Sequence, residues 1–282
     1  MIEPILSDDA LLADVQRARA EPNSLHIWWL GQSGFLLQWD GRHVLLDPYL
    51  SDSLTTKYAA TDKPHVRMTR RVIAPERLDF IDIVTASHIH TDHLDPETLQ
   101  PLFRANSDLQ FVMPIAIESE ALKRAGNPEG SAFGLDDGAA AGIHGFRIHA
   151  LPAAHNTIER DERGHCRFLG YILKAGPFHI YHSGDTLLYE GLAERLKKFN
   201  VDVALLPING NLPERRVAGN LNGVEAANLA KAAGAKLVVP CHYEMFEFNT
   251  ASPDEFKAEC ARIGQSCRVL RAGERLSLNS TS

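Results

Sequence analysis

The sequence has 282 residues, 44% of them hydrophobic and 23% charged, which excludes a disordered or fibrous chain and supplies enough apolar side chains for a large core. Lys and Arg number 29 against 36 Asp and Glu, and the formal charge of −7 leaves no basic excess for a nucleic-acid partner. No apolar run approaches the ~18 residues of a membrane span, and residues 1–10 have neither a basic nor an apolar leader segment, so the expectation is a cytoplasmic protein without a membrane partner, exported only if a leader was trimmed.

Residues 7–20 read as a helix in which Ser7 caps, Asp8 and Asp9 suit the positive end of the dipole, and Leu11, Leu12, Val15 and Ala18 form one apolar face. Pro22 ends it, and residues 1–24 form a helical extension on a single domain spanning 1–282. Short apolar runs at 25–30, 35–39 and 44–47 read as strands, with Asp40-Gly41 as the hairpin turn between the last two. Residues 80–87 are apolar on both faces and predict a central strand; Asp95-Pro96 then opens a helix. Further strands are predicted at 109–113, 146–151, 168–174, 178–182, 203–207 and 236–240, and helices at 116–125, 187–198, 224–233 and 254–263. Residues 126–142, rich in Gly, Ala and Asp, read as a connection. Hairpins open each half and strand-helix-strand units follow, which predicts an α/β fold of two mixed sheets covered by helices. Cys166, Cys241, Cys260 and Cys267 make no Cys-x-x-Cys pair and read as buried free thiols.

The chemistry concentrates in His88-Ile89-His90-Thr91-Asp92-His93, four metal-ligand side chains in six residues directly after the central strand. With this composition such a window arises about 0.002 times per chain by chance, so its make-up demands another account than histidine content. An alternating His-x-His leaving a strand sends both imidazoles to one side, and the next Asp and His face an adjacent point; that geometry suits two metals. Nitrogen and oxygen donors without thiolate favour Zn, Mn or Fe. His155, Asp185 and His242 each follow a predicted strand. Singly they read as a loop histidine, a turn or cap residue and a core histidine; together they share the strand-end placement at which open α/β sheets bind ligands.

In these residues and their order the chain resembles the metallo-β-lactamase fold hydrolases, from about residue 25 to 276. The resemblance implies a four-layer αββα sandwich with a dinuclear site at one edge of the sheets, holding two divalent ions, Mn2+ or Zn2+. It further implies that His88, His90 and His155 ligate one metal, that Asp92, His93 and His242 ligate the other, and that Asp185 bridges them. Trp28-Trp29-Leu30-Gly31-Gln32-Ser33-Gly34, Tyr181-His182-Ser183-Gly184-Asp185 and Val239-Pro240-Cys241-His242 look most like the manganese-dependent L-ascorbate-6-phosphate lactonase branch. The Trp-Leu-Gly start and Asp92-His93-Leu94-Asp95 are shared with the phospholipase D-like branch, which makes a phosphodiesterase the rival reading; a non-catalytic metal-binding protein is the third.

The expected reaction is opening of a lactone or ester by a hydroxide shared between two cations, with Asp185 holding both and Asp92 orienting the water and passing its proton to the leaving oxygen. Asp47 either accepts a ligand histidine's far N–H or simply ends a strand in an Asp-Pro turn. Asn209 opens a polar loop in which Arg215 and Arg216 either grip a phosphate or carboxylate with paired N–H groups or form a solvated surface. Tyr243, next to a ligand, is a candidate pocket residue, whereas Trp28 and Trp29 read as core. The expected partner is a small anionic substrate, and a homo-oligomer is allowed.

Overall fold

In the strand Ser24–Gly31 (β1) successive side chains point to opposite faces, and both faces are covered: Ile27 and Trp29 enter one core, Trp28 and Leu30 another. That single strand defines the layering. The computed structural model describes residues 1–128 and 130–280.

The first sheet continues with Gly34–Trp39 (β2), Arg42–Leu46 (β3), Ile83–Thr85 (β4), Gln110–Pro114 (β5) and Ala132–Leu135 (β6). The second holds Ala140–Ile143 (β7), Phe146–Pro152 (β8), Leu169–Ala175 (β9), Phe178–His182 (β10), Val203–Pro207 (β11) and Leu237–Cys241 (β12). Arg275–Asn279 (β13) returns to the edge of the first sheet, giving the orders β13-β1-β2-β3-β4-β5-β6 and β12-β11-β10-β9-β8-β7. Each sheet is mixed. In the first, pairing is antiparallel from β13 to β3 and parallel from β3 to β6; in the second it is parallel among β10, β11 and β12 and antiparallel from β10 to β7.

The helices are Asp8–Ala18 (α1), Ser53–Tyr58 (α2), Pro96–Ala105 (α3), Glu118–Ala125 (α4), Leu192–Lys197 (α5), Gly223–Ala233 (α6) and Asp254–Ile263 (α7). Leu11 and Val15 of α1, Leu99 and Leu102 of α3 and Ala121 of α4 pack with Trp28, Leu36, Val84 and Phe111 on the outer face of the first sheet. Ala226 of α6 and Phe256 of α7 join the core of the second. The result is the expected αββα sandwich. Among the described residues no helix is long and apolar enough to cross a membrane.

Asp40 and Gly41 both take left-handed backbone angles, as a two-residue hairpin turn requires. Asp95 caps α3 by accepting from the Glu97 N–H, with Pro96 in the first turn. Ser7 does not cap α1: its hydroxyl accepts instead from Arg70, 3.0 Å away. The strand expected at 80–87 is shorter, Ile83–Thr85; Ala86 N–H still bonds the Val112 carbonyl at 2.9 Å, and the chain bends from Ser87 into the histidine cluster. The helix expected at 187–198 begins only at Leu192, the preceding residues being held by Leu187 N–H to the Ala154 carbonyl at 2.7 Å. The stretch read as a connection holds β6 and most of β7, whose Ala- and Gly-rich sequences, Ala-Phe-Gly-Leu and Ala-Ala-Gly-Ile, concealed them.

Candidate metal centre

Strands β8 and β10 both run antiparallel to β9, and β11 and β12 run parallel to β10, so the C-terminal ends of β8, β10 and β12 share one edge of the second sheet. His155, Asp185 and His242 leave from those ends. The turn after β4 brings the histidine cluster to the same edge from the other sheet. Two contacts bolt the sheets together here: Leu169 N–H donates to the Ser87 carbonyl at 3.0 Å and the Tyr171 hydroxyl to the Ala86 carbonyl at 2.9 Å. Gly184 has φ +57°, and a Cβ there would lie 2.6 Å from the Ser87 side chain; only glycine lets the two loops approach this closely.

The seven side chains converge in two groups, His88 with His90 and His155, and Asp92 with His93, Asp185 and His242; in each, one ligand atom per residue lies within 4.8 Å of the others. His88 Nε2 and His90 Nδ1 are 3.1 Å apart. Asp185 Oδ1 is 3.3 Å from His93 Nε2, and Oδ2 is 3.4 Å from His242 Nε2 and 3.5 Å from His155 Nε2, so this one carboxylate touches both groups. His93 Nε2 and Asp185 Oδ1 are buried without a hydrogen-bond partner among the described residues. Convergent imidazole and carboxylate donors, two of their atoms left without a partner, fit the binding of metal cations.

Partners behind the ligands fix which ring nitrogen faces inward. His93 Nδ1–H donates to Asp47 Oδ2 at 2.8 Å. The Ser87 hydroxyl also donates to Asp47 and accepts from His88 Nδ1–H at 2.9 Å, while Thr85 donates to Asp47 Oδ1 at 2.9 Å. One fully buried carboxylate thus sets the tautomers of two ligands. His155 Nδ1–H donates to the Gly219 carbonyl at 2.8 Å, a tie that nothing in the sequence announced. Asp47 and His242 hold left-handed backbone angles, φ +40° and +62°, uncommon for residues with a side chain.

The two groups differ in charge. Burial, with the nearby His93 and His90, holds the His88 imidazole well below its ordinary range, and burial lowers His155 as well. Burial also opposes charge on His93 and His242, but the Asp185 and Asp92 carboxylates outweigh it: His93 moves well above its ordinary value and His242 rises to about 9. Against the burial penalty, His93 and its neighbours hold Asp185 well below the carboxylate range. Burial pushes the Cys241 thiol well above its ordinary value, which keeps it neutral beside the site.

A cavity of about 470 Å³ opens onto both groups, and its lining includes Lys57, Lys63, Arg124 and Arg216 together with Tyr58, Phe246 and Phe248. Arg216 reaches it, paired with Asp62. Arg215 does not: its guanidinium turns inward to the Asn209 carbonyl and, at 2.8 Å, the Thr250 carbonyl, while the next residue, Arg216, takes a left-handed angle. The paired-arginine clamp is therefore absent. Asn209 is buried behind the wall, bonded at 2.9 Å to Asn249 and at 3.1 Å to Asn220, and it is those two that line the cavity. Tyr243 belongs to the core, stacked on Trp29 at 4.4 Å with its hydroxyl on the Leu270 carbonyl. The site residue that sequence reasoning passed over is Gln32, whose amide nitrogen lies 2.8 Å from Asp92 Oδ2 and 3.0 Å from His242 Nε2. It stood in a quoted motif, but a neutral amide carries no ligand signature.

A family model described as a beta-lactamase superfamily domain matches residues 26–242. A metal-dependent hydrolase of Caldivirga maquilingensis is 25% identical over 259 residues, 90% of this chain and 98% of that protein. Among solved structures, a metallo hydrolase from the hyperthermophilic archaeon Ignicoccus hospitalis superposes with a TM-score of 0.67 at 24% identity, covering 92% of this chain and 100% of that one. An isothiocyanate hydrolase from Delia radicum gut bacteria gives 0.70 at 18% identity, covering 91% and 100%.

Proposed function

The chain belongs to the beta-lactamase superfamily, and on that premise we propose that it is a metal-dependent hydrolase opening a lactone on a small phosphorylated sugar. The observation that carries the hydrolase reading is Asp185, one carboxylate within 3.5 Å of imidazoles from both ligand groups. The residues fit two divalent ions, Mn2+ or Zn2+. His88, His90 and His155 would hold one, Asp92, His93 and His242 the other, and Asp185 both. Such ions, when bound, activate water near neutral pH and polarise the oxygen of the scissile group.

The chain's own residues supply position and proton handling. Asp92 is the least buried carboxylate of the pair and faces the cavity, where it orients the attacking water and returns a proton to the leaving oxygen. Asp47 and Gly219 hold the rings of His93 and His155 in place, so no reorganisation accompanies the reaction. Lys57, Lys63 and Arg216 favour an anionic group on the substrate, such as a phosphate. The lactone assignment further rests on the likeness of the Trp28–Gly34 and Tyr181–Asp185 segments to the ascorbate-phosphate lactonase branch.

The deciding assay compares a six-carbon sugar-phosphate lactone with a simple phosphodiester, using protein loaded with Mn2+ or Zn2+ and protein stripped by chelator. Metal-dependent turnover of the lactone is the expected result. Turnover of the diester alone would replace the lactonase with the phosphodiesterase reading, and hydrolysis unaffected by chelation would remove the metal from the reaction.

A further inference from the structure

Gln32 sits in the turn joining β1 to β2, inside the carboxylate-rich ligand group and outside every role assigned above. Its backbone is locked: φ is +49°, and its carbonyl accepts both the Trp29 indole N–H and the His242 N–H, each at 3.0 Å. The side chain is held toward the site, its nitrogen 2.8 Å from Asp92 Oδ2 and 3.0 Å from His242 Nε2, while its buried oxygen has no partner among the described residues.

A half-turn of the amide exchanges nitrogen and oxygen without moving anything else. Either orientation leaves one end of the amide without a partner, so the charge between Asp92 and His242 decides. With no metal there, the N–H end faces the Asp92 carboxylate. With a divalent cation held by Asp92 and His242, an N–H dipole aimed at the same place is repelled and a carbonyl oxygen is attracted. We infer that Gln32 is a ligand of the second metal position, giving its side-chain oxygen, and that this makes the two positions chemically unequal. The first then has three imidazoles and the shared Asp185. The second has two imidazoles, two carboxylates and an amide oxygen, a harder set that shifts selectivity toward Mn2+ relative to the first position. The inference rests on the metal reading of the group proposed above.

Equilibrium dialysis with Mn2+ or Zn2+ followed by elemental analysis, alongside the visible absorption of Co2+-loaded protein, tests it on wild type, Gln32→Met and Gln32→Glu, with thermal melting as the folding control. Two equivalents are expected for wild type. Gln32→Met should bind one Mn2+ about 10–100-fold more weakly, with a smaller change for Zn2+ and an altered Co2+ spectrum. Gln32→Glu keeps an oxygen donor and should bind Mn2+ at least as tightly as wild type. Unchanged Mn2+ binding in Gln32→Met overturns the inference. So does weakened binding in Gln32→Glu, because a residue needed only for its N–H on Asp92 would fail as the carboxylate; this variant decides alone if the Met variant does not fold. A wild type that binds no divalent ion would sink the metal reading itself, a result distinct from either.

Discussion

The two ligand groups lie side by side on one sheet edge, yet they solve burial in opposite ways. His88, His90 and His155 are three imidazoles with no carboxylate of their own, and burial lowers the basicity of His88 and His155. Asp92, His93, Asp185 and His242 instead form a buried cluster of two carboxylates and two imidazoles whose charges sustain one another. The difference teaches that one group is ready for a cation, whereas the other must release protons from His93 and His242 to accept one. The shared Asp185 couples them.

Cutting that coupling has the largest expected effect. Asp185→Asn should lower turnover by on the order of 10³-fold or more and leave fewer than two ions in the purified protein, read by elemental analysis. Two retained ions with wild-type turnover would remove Asp185 from the centre. The groups should next separate in metal-free stability. His93→Ala leaves Asp47 and Asp185 buried beside a lost cation, an expected cost of about 3–5 kcal/mol. Exposed His90, cut to Ala, should change metal-free stability by no more than about 0.5 kcal/mol while still losing an ion. Equal costs in chelator-stripped urea titrations would contradict the charge difference drawn between them. Asp47→Ala strips the shared acceptor from His93 and from the Ser87 that orients His88, so both groups should lose about 10–100-fold in metal affinity. Weakening confined to one group would show that Asp47 serves only that one.

Much of this site was legible because ligand chemistry is tied to residue type and strand ends to hydrophobic runs. The cluster from His88 to His93, together with His155, Asp185 and His242, could be placed past strands whose apolar patterning reads without a structure. Asp47 was visible only as one of two equal readings, since nothing local tells a strand-ending Asp-Pro turn from an acceptor 46 residues away from His93. Arg215, Asn209 and Tyr243 misled for a single reason. Adjacency in sequence places residues near a site, but backbone direction decides where each side chain goes, and left-handed angles stand beside all three, at Gly210, Arg216, His242 and Glu244. Strands β6 and β7 were hidden in a stretch of Gly and Ala, where pairing with neighbours and not side-chain pattern makes the strand. Gln32 was hidden because an amide acquires meaning only from what surrounds it.

The smallest expected effect is a pH limb that belongs to one group alone. A histidine whose folded-state pKa is raised binds its proton more tightly in the native state, so its stabilisation is complete below its unfolded pKa near 6.5 and is lost as pH rises through the folded value. For His242 that window runs from about 6.5 to about 9, and His93 acts in the same direction. His88 and His155, with lowered values, oppose it: they withdraw stability as pH falls below 6.5, because the unfolded chain takes up protons that the buried rings refuse. Chelator-stripped protein should therefore melt about 2–4 °C lower at pH 9 than at pH 6.5. In His242→Gln that alkaline drop should shrink, and in metal-loaded protein it should shrink as well, since a ligating imidazole carries no proton on the nitrogen it gives to the metal. An alkaline drop of the same size in all three would trace it to groups elsewhere and dissolve the charge asymmetry between the two halves of the centre.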